Sequence, residues 1–159
     1  MNIFHCREAT NLANAGHLAA AIMEISCAIE LDSTNLAYYN RRRSWYEELG
    51  ILDKYIDDCK KILRLDGGAD PYVFCDLIKA LMQITEITGE KYAVLDLDEV
   101  LAEGLQLFPQ HSELVKLRER RQDQVRRIYF SRQHALTFSF CRKLLRKVKS
   151  HLKLGVRMS

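Results

Sequence analysis

N-L-A-Y-Y-N-R-R-R-S-W-Y-E-E-L-G-I-L-D-K-Y-I-D-D-C-K-K-I-L-R-L-D, residues Asn35 to Asp66, is the stretch whose reading decides the fold. Two apolar-periodic segments flank Gly50, and the unit closes on Leu65-Asp66. The same punctuation stands 34 residues earlier: Gly16 precedes Gly50, Ala28 precedes Ile62, and Leu31-Asp32 precedes Leu65-Asp66. A fixed period of this size belongs to arrays of helix-turn-helix units.

Working outward, the first unit runs from about Asn2 to Asn35. Its first helix carries Phe4, Ala9 and Leu12 inward and ends before Gly16, the residue type that most easily turns left-handed after a helix. Its second helix carries Leu18, Ala21, Ile22, Ile25, Ala28 and Ile29 at spacings of three and four, one apolar stripe. Asp32-Ser33-Thr34-Asn35 is a link rich in helix caps. In the second unit Tyr38, Tyr39, Trp45, Tyr46 and Leu49 fill the first helix. Leu52, Tyr55, Ile56, Cys59, Ile62 and Leu63 make the stripe of the second, with Asp57 and Lys61 spaced to pair across one turn.

After Gly67-Gly68-Ala69, Asp70 caps and Pro71 opens a third first-helix that runs to about Thr88. Gly89 stops it, and Lys91 to Leu107 forms its partner. Gly50 to Gly89 is 39 residues, so the third unit carries an insertion of about one turn. A basic helix follows from about Ser112.

With only 2 Pro and 7 Gly in 159 residues, a sheet of many short strands is disfavoured and an all-α fold expected. No apolar run is long enough to span a membrane, and Met1 to Thr10 has no secretory-signal pattern. The 5 cysteines are scattered and form no C-x-x-C, which reads as reduced thiols and a cytoplasmic or nuclear setting. The net charge of +3 hides an asymmetry. Met1 to Leu114 holds 10 Lys and Arg against 19 Asp and Glu, a balance of −9; Val115 to Ser159 holds 14 against 2, a balance of +12.

On these residues the chain resembles the tetratricopeptide repeat (TPR) family over about Asn2 to Leu117. The family unit is a helical hairpin with a bulky residue early in the first helix, a small residue at mid-helix, a turn glycine, two small residues in the second helix and a closing L-D-P. Ala9, Gly16, Ala21, Ala28 and Leu31-Asp32 match in the first unit. Tyr39, Tyr46, Gly50 and Leu65-Asp66 match in the second. Ser33 and Gly67 stand where the family often has proline, Arg43 where it has a small residue, and Tyr55 and Ile62 where alanine is common. A buried, unpaired guanidinium is costly, so Arg43 must reach solvent or meet an acid.

The resemblance implies about three stacked hairpins over residues 1–117 and a basic helical extension over 118–159. It implies a protein-protein interaction scaffold or adaptor that binds a peptide or partner helix in a groove lined by the first helices. Carried onto this chain, the groove residues are Thr10, Asn14, Asn40, Arg41, Ser44 and Glu47. Each has the competing reading of a plain solvated face. The family's clamp for the terminal carboxylate of a chaperone tail needs a cation from the first unit, where Cys6 and Thr10 stand, so chaperone-tail binding is not expected.

Arg41-Arg42-Arg43 is the one strong cationic run in the acidic body. Guanidinium forks suit an acidic peptide, but local pairing with Glu47 or Glu48 is the favoured reading. Tyr92 to Leu101, Y-A-V-L-D-L-D-E-V-L, resembles the first motif of haloacid-dehalogenase-type phosphatases, with Asp96 as nucleophile and Asp98 as acid/base. That chemistry needs a strand, a downstream lysine and further acidic ligands, which the basic remainder does not offer. Val94, Leu97, Leu101 and Leu105 make a helical stripe instead. No enzyme activity, cofactor or metal is expected; the five histidines lack metal-ligand spacing.

Leu136, Phe140, Leu144, Val148 and Leu152 recur at four-residue steps among Arg142, Lys143, Arg146, Lys147 and Lys149. A basic amphipathic helix suits an anionic membrane surface, a calmodulin-like clamp or nucleic acid, and this is the alternative to the adaptor reading. A helix that caps the stack, or one that docks on the acidic body, remain open beside it.

Overall fold

A computed structural model describes the backbone of residues 2–88 and 91–130, and the side chains of 3–88 and 96–130. The described helices are α1 (Asn2–Asn14), α2 (Leu18–Leu31), α3 (Leu36–Glu48), α4 (Leu52–Asp66), α5 (Pro71–Thr88) and α6 (Lys91–Leu107). Residues 112–130 are also helical, and no strand occurs among the described residues. The chain divides into two compact units, residues 1–118 and 119–159.

The repeat seen in the sequence recurs bond for bond. After α1, Gly16 N–H donates to the Ala13 carbonyl and His17 N–H to that of Leu12, both at 2.9 Å. After α3, Gly50 donates to Glu47 at 3.0 Å and Ile51 to Tyr46 at 2.9 Å, each partner 34 positions on. These bonds require a left-handed residue, and Gly16 and Gly50 supply it at φ 82° and 69°. The closing aspartates repeat too. Asp32 Oδ1 accepts from Thr34 N–H at 3.3 Å, and Asp66 Oδ1 from Gly68 N–H at 2.9 Å. The expected caps are in place: Asn35 accepts from Ala37 N–H at 3.1 Å and Asp70 from Tyr72 N–H at 2.9 Å.

In the first unit each helix packs chiefly on its sequence neighbours, α1 on α2, α2 on α3, and so on to α6. Hairpins therefore stack one on the next, each covering an apolar stripe that it cannot bury alone. Ala9, Ala21 and Ala28 are fully buried and let the first hairpin close tightly. The second hairpin has Tyr55 and Ile62 at the corresponding places, both buried. In the third, Gly104 lies flat against Phe74; a Cβ there would sit 3.2 Å from the ring. Leu114 and Leu117, in the helical turns after Ser112, are buried as well.

Some sequence expectations are corrected. Phe4 is exposed rather than inward. It lies five residues from buried Ala9, well round the helix at about 100° per residue. Leu49 is exposed. Asp57 pairs with Lys54 at 3.8 Å, not with Lys61, whose ammonium lies 6.0 Å from the centre of the Tyr39 ring. Among the described residues, no helix is long and apolar enough to cross a membrane.

Candidate partner-binding surface

Three consecutive arginines on α3 point in three directions, because successive helical residues are about 100° apart. Arg41 donates from Nη1 to the Thr10 hydroxyl of α1. Arg42 donates from Nε and Nη2 to the two Asp58 oxygens of α4, at 2.9 and 2.7 Å, and from Nη1 to Ser26 Oγ of α2 at 2.9 Å. Arg43 donates from Nη1 to Asp76 Oδ2 of α5 at 3.3 Å and lies near Cys59 Sγ at 3.6 Å. Thus α3 is fastened to α1, α2, α4 and α5 by one run. Local pairing with Glu47 or Glu48 is overturned: the acids that meet this run are Asp58 and Asp76, on other helices.

Burial sets the chemistry of this layer. It pulls the pKa values of Arg42 and Arg43 down, but the hydrogen bonds outweigh it, Asp58 acting on Arg42 and Cys59 on Arg43, and both stay above the ordinary arginine value. Burial also pushes the Cys59 thiol up against the pull of Arg43, and drives Cys75 to about 11. Neither is a reactive thiolate near neutral pH.

The sequence-predicted groove residues all lie on α1 and α3. Asn14, Asn40, Arg41, Ser44 and Glu47 are exposed, while Thr10 is half-buried beside Arg41. The Thr10–Arg41 bond joins the two helices directly. Ser44 Oγ donates to the Arg41 carbonyl of its own helix at 2.8 Å. Glu47 lies six residues beyond Arg41, about 9 Å along the axis. There it lines a cleft with Tyr55 of α4 and with Asp76, Lys79 and Gln83 of α5. The six residues thus form a strip rather than one pocket. Arg142, Lys143, Arg146, Lys147 and Lys149 lie outside the described residues.

Sequence reasoning named no surface residue on α5. Asp76, Lys79 and Gln83 follow a three- and four-residue spacing beside the buried Leu77, Ile78 and Leu81, and that spacing was the available signal. Lys79 pairs with Glu113 at 3.1 Å, which raises the lysine pKa and lowers that of the glutamate. Cys75 Sγ lies 3.9 Å from His111 Nδ1, and the His111 ring stands nearly perpendicular to that of Tyr72, with centroids 5.2 Å apart.

The phosphatase-like motif stands on α6, not on a strand. Asp96 Oδ2 accepts from Lys60 Nζ of α4 at 2.6 Å. Among the described residues, no group of three or more metal-ligating side chains stands together.

No protein-family model and no curated protein sequence matches the chain. Solved structures do. The TPR domain of Arabidopsis OM64 aligns at TM-score 0.54 and 16% identity, over 77% of this chain and 95% of that one. The first TPR of Spaghetti (RPAP3), bound to the HSP90 peptide SRMEEVD, aligns at 0.51 and 18%, over 78% and 93%. The second TPR domain of human RPAP3, in complex with the HSP70 peptide SGPTIEEVD, aligns at 0.52 and 16%, over 74% and 94%. The chain therefore has the tetratricopeptide-repeat fold: stacked helical hairpins in an all-α, TPR-like protein.

Proposed function

We propose that this chain is a protein-protein interaction adaptor. Residues 1–117 capture a peptide or partner helix on the surface formed by α1, α3 and α5, with 118–159 as a basic extension. The single observation that carries this is the Thr10–Arg41 bond, which joins two first helices into one polar surface. The nearby Glu47 cleft extends that surface toward α5. The protein works by binding, without turnover. Reduced, dispersed cysteines support a cytoplasmic or nuclear setting, and Cys6, Cys27, Cys59 and Cys75 are free.

Two structural neighbours hold peptides ending in E-E-V-D. The cations of this surface do not favour such a ligand. Arg43 is engaged by Asp76 and Lys79 by Glu113. Arg41 alone of these three is held by a neutral hydroxyl, and Cys6 and Thr10 add no charge. An internal segment, docked by polar and apolar contacts, is the ligand we expect.

The test places a photo-reactive residue at Ser44, on this surface, and in a second sample at Lys54, exposed on α4. Partners captured from cells should cross-link through Ser44. Cross-linking through Lys54 with none through Ser44, or equal yield from both, would remove the proposal. The SRMEEVD peptide should show no saturable binding.

A further inference from the structure

We propose that the cleft between α4 and α6 is a second docking site, built for an amphipathic partner helix with basic side chains along one edge of its apolar stripe and acidic ones along the other.

The cleft is large, about 650 Å³, and lies apart from the α1–α3 strip. Lys60 and Asp96 span it with a bond of 2.6 Å, which fixes the spacing of its walls. Leu63 and Val100, both half-buried, make an apolar floor over the fully buried Leu77. The α6 rim carries Glu99 and Glu103, both exposed, and neither makes an ion pair among the described residues. The opposite rim carries Arg64, exposed, whose hydrogen bond runs from Nε to its own helix at the Lys60 carbonyl, 3.1 Å. Gly67 follows on that side with no side chain to fill the space. The α5 helix of the third hairpin has 18 residues where α1 and α3 have 13.

The charges select the occupant. Glu99 and Glu103 are one turn apart, about 6 Å along α6, a pitch that basic residues four apart on another helix reproduce. A helix basic on both edges would set a cation against Arg64. A helix acidic on both edges would set carboxylates against Glu99 and Glu103. Like-charge contacts reject wrong partners more strongly than matched pairs reward right ones. The floor supplies affinity and the two rims supply selection.

Three synthetic helices of about 18 residues, five turns, test this on the full chain. All share one leucine stripe; their edges are Lys and Glu, Lys on both, or Glu on both. Binding is read by fluorescence polarisation and by amide NMR shifts. The mixed peptide should bind about tenfold tighter than the all-Glu one, the scale of two exposed pairs turned repulsive at Glu99 and Glu103, and about threefold tighter than the all-Lys one, which turns a single pair repulsive at Arg64. Its shifts should centre on Leu63, Val100 and Glu103. The double variant Glu99→Lys, Glu103→Lys makes both rims basic. It should lose the mixed peptide and gain the all-Glu one, a gain that a misfolded variant would not show. Binding blind to edge charge, shifts centred on α1 and α3, or no binding by any of the three would overturn the proposal. Those results would leave the Ser44 test untouched.

Discussion

Arg42 and Asp58 meet in a two-point contact, Nε to Oδ2 at 2.9 Å and Nη2 to Oδ1 at 2.7 Å, with the Asp58 side chain only 3% exposed. Ser26 takes a third guanidinium bond at 2.9 Å. A buried carboxylate is tolerable because it is met by a fork of matching geometry. Removing one member leaves the other charge without compensation. Asp58→Ala should therefore destabilise the first unit by about 3 kcal/mol, read as a lower urea midpoint. The paired change Arg42→Met with Asp58→Leu should recover most of the loss, since apolar residues of similar volume often replace a buried pair without cost. The exposed neighbour change Asp57→Ala should stay within about 0.5 kcal/mol of the parent.

Arg43 and Asp76 form the weaker clasp. They share a single bond of 3.3 Å, and the Asp76 side chain is 35% exposed. Solvent screens such a pair. Asp76→Asn should cost no more than about 1 kcal/mol, well below Asp58→Ala in the same urea titration. If the two cost the same, burial is not what separates them.

Gly104 is held to glycine by contact rather than by backbone twist. A methyl group there would meet Phe74 ring atoms at 3.2 Å. Overpacking of this kind costs about 1–3 kcal/mol. Gly104→Ala should lower the thermal midpoint despite the better helix propensity of alanine. Adding Phe74→Leu should make the alanine harmless relative to Phe74→Leu alone. Failure of that rescue would place the strain elsewhere.

The buried thiols predict an alkaline limit to stability. Burial raises Cys59, and takes Cys75 from an ordinary 9.0 to about 11. A raised folded pKa means that the folded chain holds the proton more tightly than the unfolded chain. The resulting stability is fully present below pH 9.0 and is lost as pH climbs toward about 11. Urea midpoints should show no thiol-linked decline between about pH 7 and 9 and then fall, and Cys75→Ala should soften the fall. In the same buffers a thiol reagent at neutral pH should modify exposed Cys27 well before Cys59 or Cys75.

The hairpins were legible because their signals are local. Gly16 and Gly50 mark turns at fixed spacing, Asp70-Pro71 marks a helix start, and the stripes of α2 and α4 are periodic. The arginine run was not legible in this way. A four-residue rule looks to Glu47 and Glu48 on the same helix. The actual partners, Ser26, Asp58 and Asp76, lie 16 to 33 residues away in the chain. Asp58 is met once α4 folds back on α3, and Ser26 and Asp76 only once the hairpins stack; spacing along one helix carries no trace of either. The cleft of Lys60 and Asp96 was hidden for the same reason, and because the longer α5 blurred the register of the third unit.

The central claim is that α1 and α3, first helices of adjacent hairpins, stand side by side and form one surface. A chain with Cys6, Cys27 and Cys141 changed to serine, and with Thr10→Cys and Arg41→Cys added, tests it with a short thiol cross-linker. The account predicts rapid cross-linking within a single molecule, seen as an intact-mass gain of one linker. Failure of Thr10→Cys to join Arg41→Cys, while a Thr10→Cys, Lys54→Cys control joins readily, would contradict it.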